Sequence, residues 1–262
     1  MVRHADKHRE QGEAAKYDRR ADEILHRESA GKLLVDAVHW RKIGEAKWPR
    51  GPYVESIRAL GDLSGKRVLE LGCGTGWLSV ILCKLGAEVD GIDVSPRLVE
   101  IARERAKVNG IEGQVRFEVM SAHELSYPGE TFDRVYGLSL LHHVNVDQCV
   151  AQVNRVLKPG GKAVFSEPVI NSRFAEAVRK RIPVPIDDDE EFPAPPLSDR
   201  DIARVVNQFD RSRVVYDRFF SSLDRVIDKE WPIRVLRALD FLVLRAWPFR
   251  KLARQAVMEL YK

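Results

Sequence analysis

Three glycines at alternate positions, Gly72, Gly74 and Gly76, close a short apolar run that begins at Val68. Glycine there permits a tight turn and lets a ligand approach the backbone. Helical spacing starts at Trp77, so the free N–H groups of a helix N-terminus follow the loop and favour an anionic group. Asp93 lies 21 residues beyond Gly72, at the end of a second apolar run, where a carboxylate can accept both hydroxyls of a ribose. Loop, helix and acid in this order point to a nucleoside-bearing ligand; a turn that merely packs tightly is the alternative.

Other residues could handle protons. His142 and His143 stand together at the opening of a helical stretch, and a neutral imidazole can deprotonate a hydroxyl near neutral pH. The other reading is that they bond the local backbone and shape a pocket. Glu167 ends a strand, where it could orient a hydroxyl or amine, or cap the segment that follows. His123 reads as a surface or packing residue. Tyr17, Trp40, Trp48 and Tyr53 could cover a site or simply pack. Cys73, Cys83 and Cys149 form no CxxC pair, so neither a disulfide framework nor a zinc site is expected, and a reduced, cytoplasmic setting fits. Cys73 reads as a small residue tolerated in the loop.

These groups need a scaffold. Short apolar runs at 67–71, 87–93, 115–119, 132–137 and 163–165 read as strands. Helical periods at 77–85, 95–109 and 146–157 fall between them, with Ser95 as a cap and Pro96 in the first turn. Such alternation predicts a parallel sheet covered on both faces. Residues 1–60 read as a charged helical cap and residues 61–220 as the ligand-binding domain. Within that domain, residues 168–197 hold the acidic run 187–191 and five prolines between Pro183 and Pro196, a solvated loop or a flap. A helix over 198–208 and a strand over 214–220 follow. Residues 221–262 read as a basic amphipathic tail, with helices at 232–247 and 249–260 split near Pro248.

The loop resembles that of class I S-adenosylmethionine-dependent methyltransferases, which place an acidic residue, here Glu70, before GxGxG. Trp77 stands where a dinucleotide fingerprint would need glycine. Residues 91–96, 120–128, 131–133, 140–144 and 155–161 resemble the family's later motifs in order. The nearest branch includes ubiquinone- and menaquinone-pathway methyltransferases, and the likeness spans about 60–168. It implies a Rossmann-like, doubly wound α/β fold: a mostly parallel seven-stranded sheet with helices on both faces, N-terminal helices and a helical C-terminal extension. The implied cofactor is S-adenosyl-L-methionine. Gly72, Gly74 and Gly76 would pass its methionine end, Asp93 would hold the ribose, and Ser121 and Ala122 would border the adenine. Gly137 and Leu138 would lie by the sulfonium, with Glu70, Cys73 and Val94 completing the contacts. Where the family often has Asp, Ser121 is uncharged and makes the weaker adenine bond. The implied activity is methyl transfer to an oxygen or carbon of a small, lipophilic acceptor, with His142, His143 and Glu167 as catalytic candidates. The alternatives are a non-catalytic cofactor binder and an N- or S-directed methyltransferase.

Composition sets limits. Forty-three Lys and Arg against 39 Asp and Glu are too nearly balanced to argue for nucleic acid. The polar N-terminus lacks the apolar core of a signal peptide, and no apolar run is long enough to span a membrane. Residues 200–262 carry 14 Lys and Arg against 8 Asp and Glu. Basic helices with large apolar residues can lie on an anionic membrane, or pack on the catalytic domain or a second subunit.

Overall fold

The computed structural model describes residues 2–29, 31–36, 52–170, 172, 194–221, 230–246 and 249–262. Trp40, Trp48, the Tyr53 side chain, the acidic run and the Pro248 break lie outside the described residues. Seven strands form a single sheet in the order β3-β2-β1-β4-β5-β7-β6. They are β1 (Arg67–Leu71), β2 (Glu88–Asp93), β3 (Val115–Val119), β4 (Phe132–Leu138), β5 (Leu157–Pro168), β6 (Arg211–Asp217) and β7 (Gln255–Tyr261). The first five are parallel, as the alternating pattern predicts.

Register decides where loops meet. Leu71 lies opposite both Ile92 and Gly137, and Leu138 lies opposite Ser166. Strands β1, β2, β4 and β5 therefore end level, and the segments after them emerge at one edge. Strand order reverses between β1 and β4, so their following loops diverge and leave a crevice between them.

Helices cover both faces because successive strand residues point to opposite sides. Val135, Phe165 and Met258 pack with Val150, Val153, Ile202 and Val205. Tyr136, Val164 and Val257 face Ile57, Leu60, Val80 and Val99 on the other side. The first group includes α5 (Val146–Val156) and α6 (Asp199–Val206); the second includes α2 (Pro52–Leu60), α3 (Trp77–Lys84) and α4 (Pro96–Val108). Caps set the starts: Ser95 Oγ accepts from Leu98 N–H, Asn145 from Gln148 N–H, and Ser198 and Asp201 form a reciprocal capping box. The long polar α1 (Val2–Ser29) docks on α4, where the Asp18 carboxylate accepts from Ser95 Oγ at 2.5 Å and Arg97 N–H at 3.1 Å.

The C-terminal reading needs correction. Helix α7 (Glu230–Val243) forms, but the expected second helix is strand β7 with a short 3-10 turn (Phe249–Leu252) before it. Strand β7 pairs antiparallel with both β5 and β6, so residues 255–261 belong to the sheet and not to a helical tail. Ala256, Met258 and Leu260 enter one core and Val257 the other, the period of a strand buried on both faces. Glu259 disguised the run by making it read as amphipathic. Buried in the sheet, it meets Arg213 at 3.0 Å and Lys162 at 3.6 Å. Asp240 is fully buried and accepts the N–H groups of Phe219, Phe220 and Ser221 at 2.8–3.2 Å, tying α7 to the end of β6.

Truncation after Arg254 should strip one ladder from β5 and another from β6. The expected outcome is loss of the cooperative urea transition followed by circular dichroism. A truncated chain that unfolds with an unchanged midpoint would contradict this placement of β7.

Candidate functional site

At the level edge, β1 passes into the glycine loop. Gly74 has φ +53°, lies where a Cβ would meet nothing within 4 Å, and donates its N–H to Asp93 Oδ2 at 2.9 Å. Asp93 Oδ1 accepts Ser95 N–H at 2.9 Å. These backbone bonds hold the carboxylate in place and still leave it acceptor capacity, which fits a ribose hydroxyl. Burial pushes the Asp93 carboxyl above its usual range, while the bonds from Ser95 and Gly74 pull the other way. Gly76 serves packing. At φ +74° its Cβ would stand 2.9 Å from Ala102 Cβ and 3.0 Å from the Phe117 ring.

Beyond β4 the chain turns sharply. Ser139 sits at φ +53°, a conformation costing roughly 1–2 kcal/mol for a residue with a Cβ. That turn aims the N–H groups of Leu140 and Leu141 at Glu167 Oε1, at 2.8 and 2.9 Å. The other oxygen, Oε2, meets His142 Nδ1 at 2.8 Å. With Glu167 as carboxylate, Nδ1 carries the proton and Nε2 keeps a lone pair. His143 differs, because both its nitrogens are engaged: Nδ1 with Glu13 Oε1 at 3.3 Å and Nε2 with the Tyr17 hydroxyl at 3.2 Å.

Helix α1 closes the crevice. Glu10, Glu13 and Tyr17 recur at helical spacing on the face turned to the sheet edge. Glu10 Oε2 lies 3.5 Å from His123 Nδ1, and His123 Nε2 accepts Asn145 N–H at 2.9 Å. The cavity beneath α1, about 410 Å³, is lined by Gly72, Gly74, Asp93, Val94, Ser121, Ala122, Leu138, His142 and His143 among others. Apolar wall comes from Ile24, Leu98, Leu140 and Val144.

Five residues named from the sequence do not line that cavity. Glu70 is buried beneath the loop and takes the hydroxyl hydrogen of Ser79 in α3. Gly137 is required because a Cβ would stand 2.6 Å from the Phe165 ring. Cys73 and Gly76 lie in the loop but face the protein, and burial raises the Cys73 thiol well above its usual pKa, far from a thiolate's reactivity. Glu167 acts from behind His142. Sequence reasoning missed Arg9, Glu10, Glu13 and Ser139, and read His123 as a surface or packing residue although it lines the cavity. The i, i+3, i+7 spacing of Glu10, Glu13 and Tyr17 was a usable signal. Nothing in the local sequence marks Ser139.

Comparisons with known proteins point the same way. Residues 68–161 match the family described as "Methyltransferase domain". The chain is 30% identical over 175 residues to methyltransferase GfsG of Streptomyces halstedii, covering 60% of this chain and 58% of the relative. It is 38% identical over 153 residues to the ubiquinone biosynthesis O-methyltransferase of Xanthomonas oryzae pv. oryzae, covering 54% and 61%. The chain thus spans about three fifths of the length of these curated relatives. Among solved structures, geranyl diphosphate C-methyltransferase from Streptomyces coelicolor A3(2) is similar in fold, with a TM-score of 0.62 at 16% identity and 97% of each chain covered.

Glu13 joins α1 to the site: it bonds His143, and Lys16 Nζ lies 4.0 Å from its Oε2 with both side chains buried. Glu13→Ala should release α1. Amide exchange across residues 9–26 is expected to rise about tenfold or more while β1 and β4 stay protected. Unchanged exchange in α1 would show that Glu13 does not hold it.

Proposed function

Residues 68–161 match the methyltransferase-domain family, and from that premise we propose that the chain is an S-adenosylmethionine-dependent methyltransferase acting on a small acceptor at oxygen or carbon. The observation that carries the reading is a cavity whose wall holds Gly74 and Asp93 as well as His142. When bound, the cofactor supplies a methyl group on a sulfonium that is its own leaving group, so the protein's part is alignment and proton handling.

Asp93 holds the ribose hydroxyls, with Val94, Ser121 and Ala122 beside the base. Ser121 Oγ already accepts His123 N–H at 3.1 Å, which leaves a weaker acceptor for the adenine amino group than a carboxylate would be. His142 Nε2 takes the proton of a hydroxyl acceptor as it attacks. Glu167 fixes the imidazole and stabilises the cation that forms. His143 anchors α1 and does not act as the base. The apolar wall suits a lipophilic acceptor, in keeping with the names of the quinone-pathway relatives.

Two outcomes are expected. Protonation removes an acceptor from Asp93, and its raised pKa brings that loss to higher pH than for an ordinary aspartate. Calorimetric affinity for S-adenosylhomocysteine should therefore fall on acidification from neutral pH, starting above the usual carboxylate range. Asp93→Asn should bind weakly at every pH. A wild type that binds nothing, or binds with no pH dependence, would refute the assignment. In transfer from labelled cofactor to a panel of lipophilic hydroxyl acceptors, His142→Ala should lose about a hundredfold in kcat and Glu167→Gln about tenfold. Both should keep cofactor affinity. Tight cofactor binding without transfer to any acceptor would instead favour a non-catalytic binder.

A further inference from the structure

Helix α7 has two apolar sides. Asp240 and Leu244 are buried, and Leu236 and Val243 half-buried, toward the body. Trp231, Val235, Leu239 and Leu242 follow at steps of four, four and three, which sets them on one stripe of the far side. They are 70%, 49%, 40% and 67% exposed, and Phe249, in the 3-10 turn beyond the helix, is 50% exposed. Such a stripe on a helix already anchored by its other side is an interaction surface.

Charge identifies the occupant. From the first residue of α7 onward, residues 230–254 contain six Lys and Arg and two acids, Glu230 and Asp240. The Asp240 carboxylate is turned inward to the backbone of 219–221. Arg234 and Arg245 are exposed and fall along one border of the stripe by helical spacing, with Arg250 just beyond. A second copy packed about a twofold axis would bring these like charges together. An anionic bilayer accepts both parts: apolar side chains enter, cations meet phosphates, and tryptophan suits the boundary. Placement agrees. Asp217, where β6 ends, and Gln255, where β7 starts, stand in register with Pro168, which lines the cavity. So α7 hangs from the sheet edge that holds the cavity.

We propose that α7 lies in the surface of an anionic phospholipid bilayer, its Trp231–Leu242 stripe inserted and its arginines on the headgroups. Among the described residues no helix is long and apolar enough to cross a membrane, so contact is peripheral. Methyl transfer is not needed for the test. The full chain is sedimented with phosphatidylcholine vesicles with and without phosphatidylglycerol. Wild type should bind the anionic vesicles about tenfold better and release in high salt. Val235→Glu with Leu242→Glu should abolish binding. Arg234→Glu with Arg245→Glu should remove the preference for anionic lipid. Circular dichroism and melting of both variants are compared with wild type to show that each remains folded. The proposal fails if wild type does not sediment or if the variants bind as it does. It also fails if sedimentation velocity finds a dimer that the glutamate pair dissolves, which would assign the stripe to a second copy.

Discussion

A buried carboxylate must gather donors where it stands. Glu167 has no exposed surface, and a carboxylate left there without partners would be strongly destabilising. It meets three donors that converge at the end of β5: two backbone N–H groups and an imidazole nitrogen. This requirement fixes much else. The chain leaving β4 must turn through the left-handed Ser139 so that Leu140 and Leu141 present their N–H groups together. That turn in turn sets the directions of His142 and His143, and His143 gives α1 its hold. One interaction between neighbouring strand ends thus determines both the reactive wall of the cavity and the position of its cover.

The two ends of the cavity follow different physical rules. Around Asp93 most of the shape is backbone: glycine φ angles, N–H groups and the level ending of β1 and β2. Around His142 it is side chain on side chain, assembled from β5, the turn after β4 and α1. A ligand common to many acceptors can be served by backbone geometry. Choice among acceptors is better left to side chains that can vary without disturbing the sheet.

That division explains what could be read in advance. Strands β1 to β4 and the 163–165 centre of β5 were visible because each is a short apolar run bounded by glycine or polar turns, and Asp93 was visible because its role depends on distance along the chain. Strand β7 was not, since Glu259 and the arginines before it imitate an amphipathic helix until Lys162 and Arg213 arrive from other strands. Asp240 looked like an interruption of an apolar stretch, and its three donors lie about twenty residues away in sequence. Glu13 and His143 are separated by more than a hundred residues, so their pairing exists only in the folded chain. Local pattern carries the scaffold and the backbone-built half of the site; tertiary contacts carry the rest.

The position of β7 also bears on how the molecule is made. Its seven residues stand between β5 and β6, so during synthesis those two strands emerge from the ribosome long before the strand that joins them. Until residues 255–261 appear, β5 presents an unpaired edge and β6 has no strand to pair with. Such an intermediate exposes strand edges that invite association with other chains. Vectorial folding can order the half containing β1 to β4 early. The wall that carries Glu167 must wait for the last stretch of β7 to close the sheet, and a chaperone that shields the edge in that interval would raise the yield of active protein.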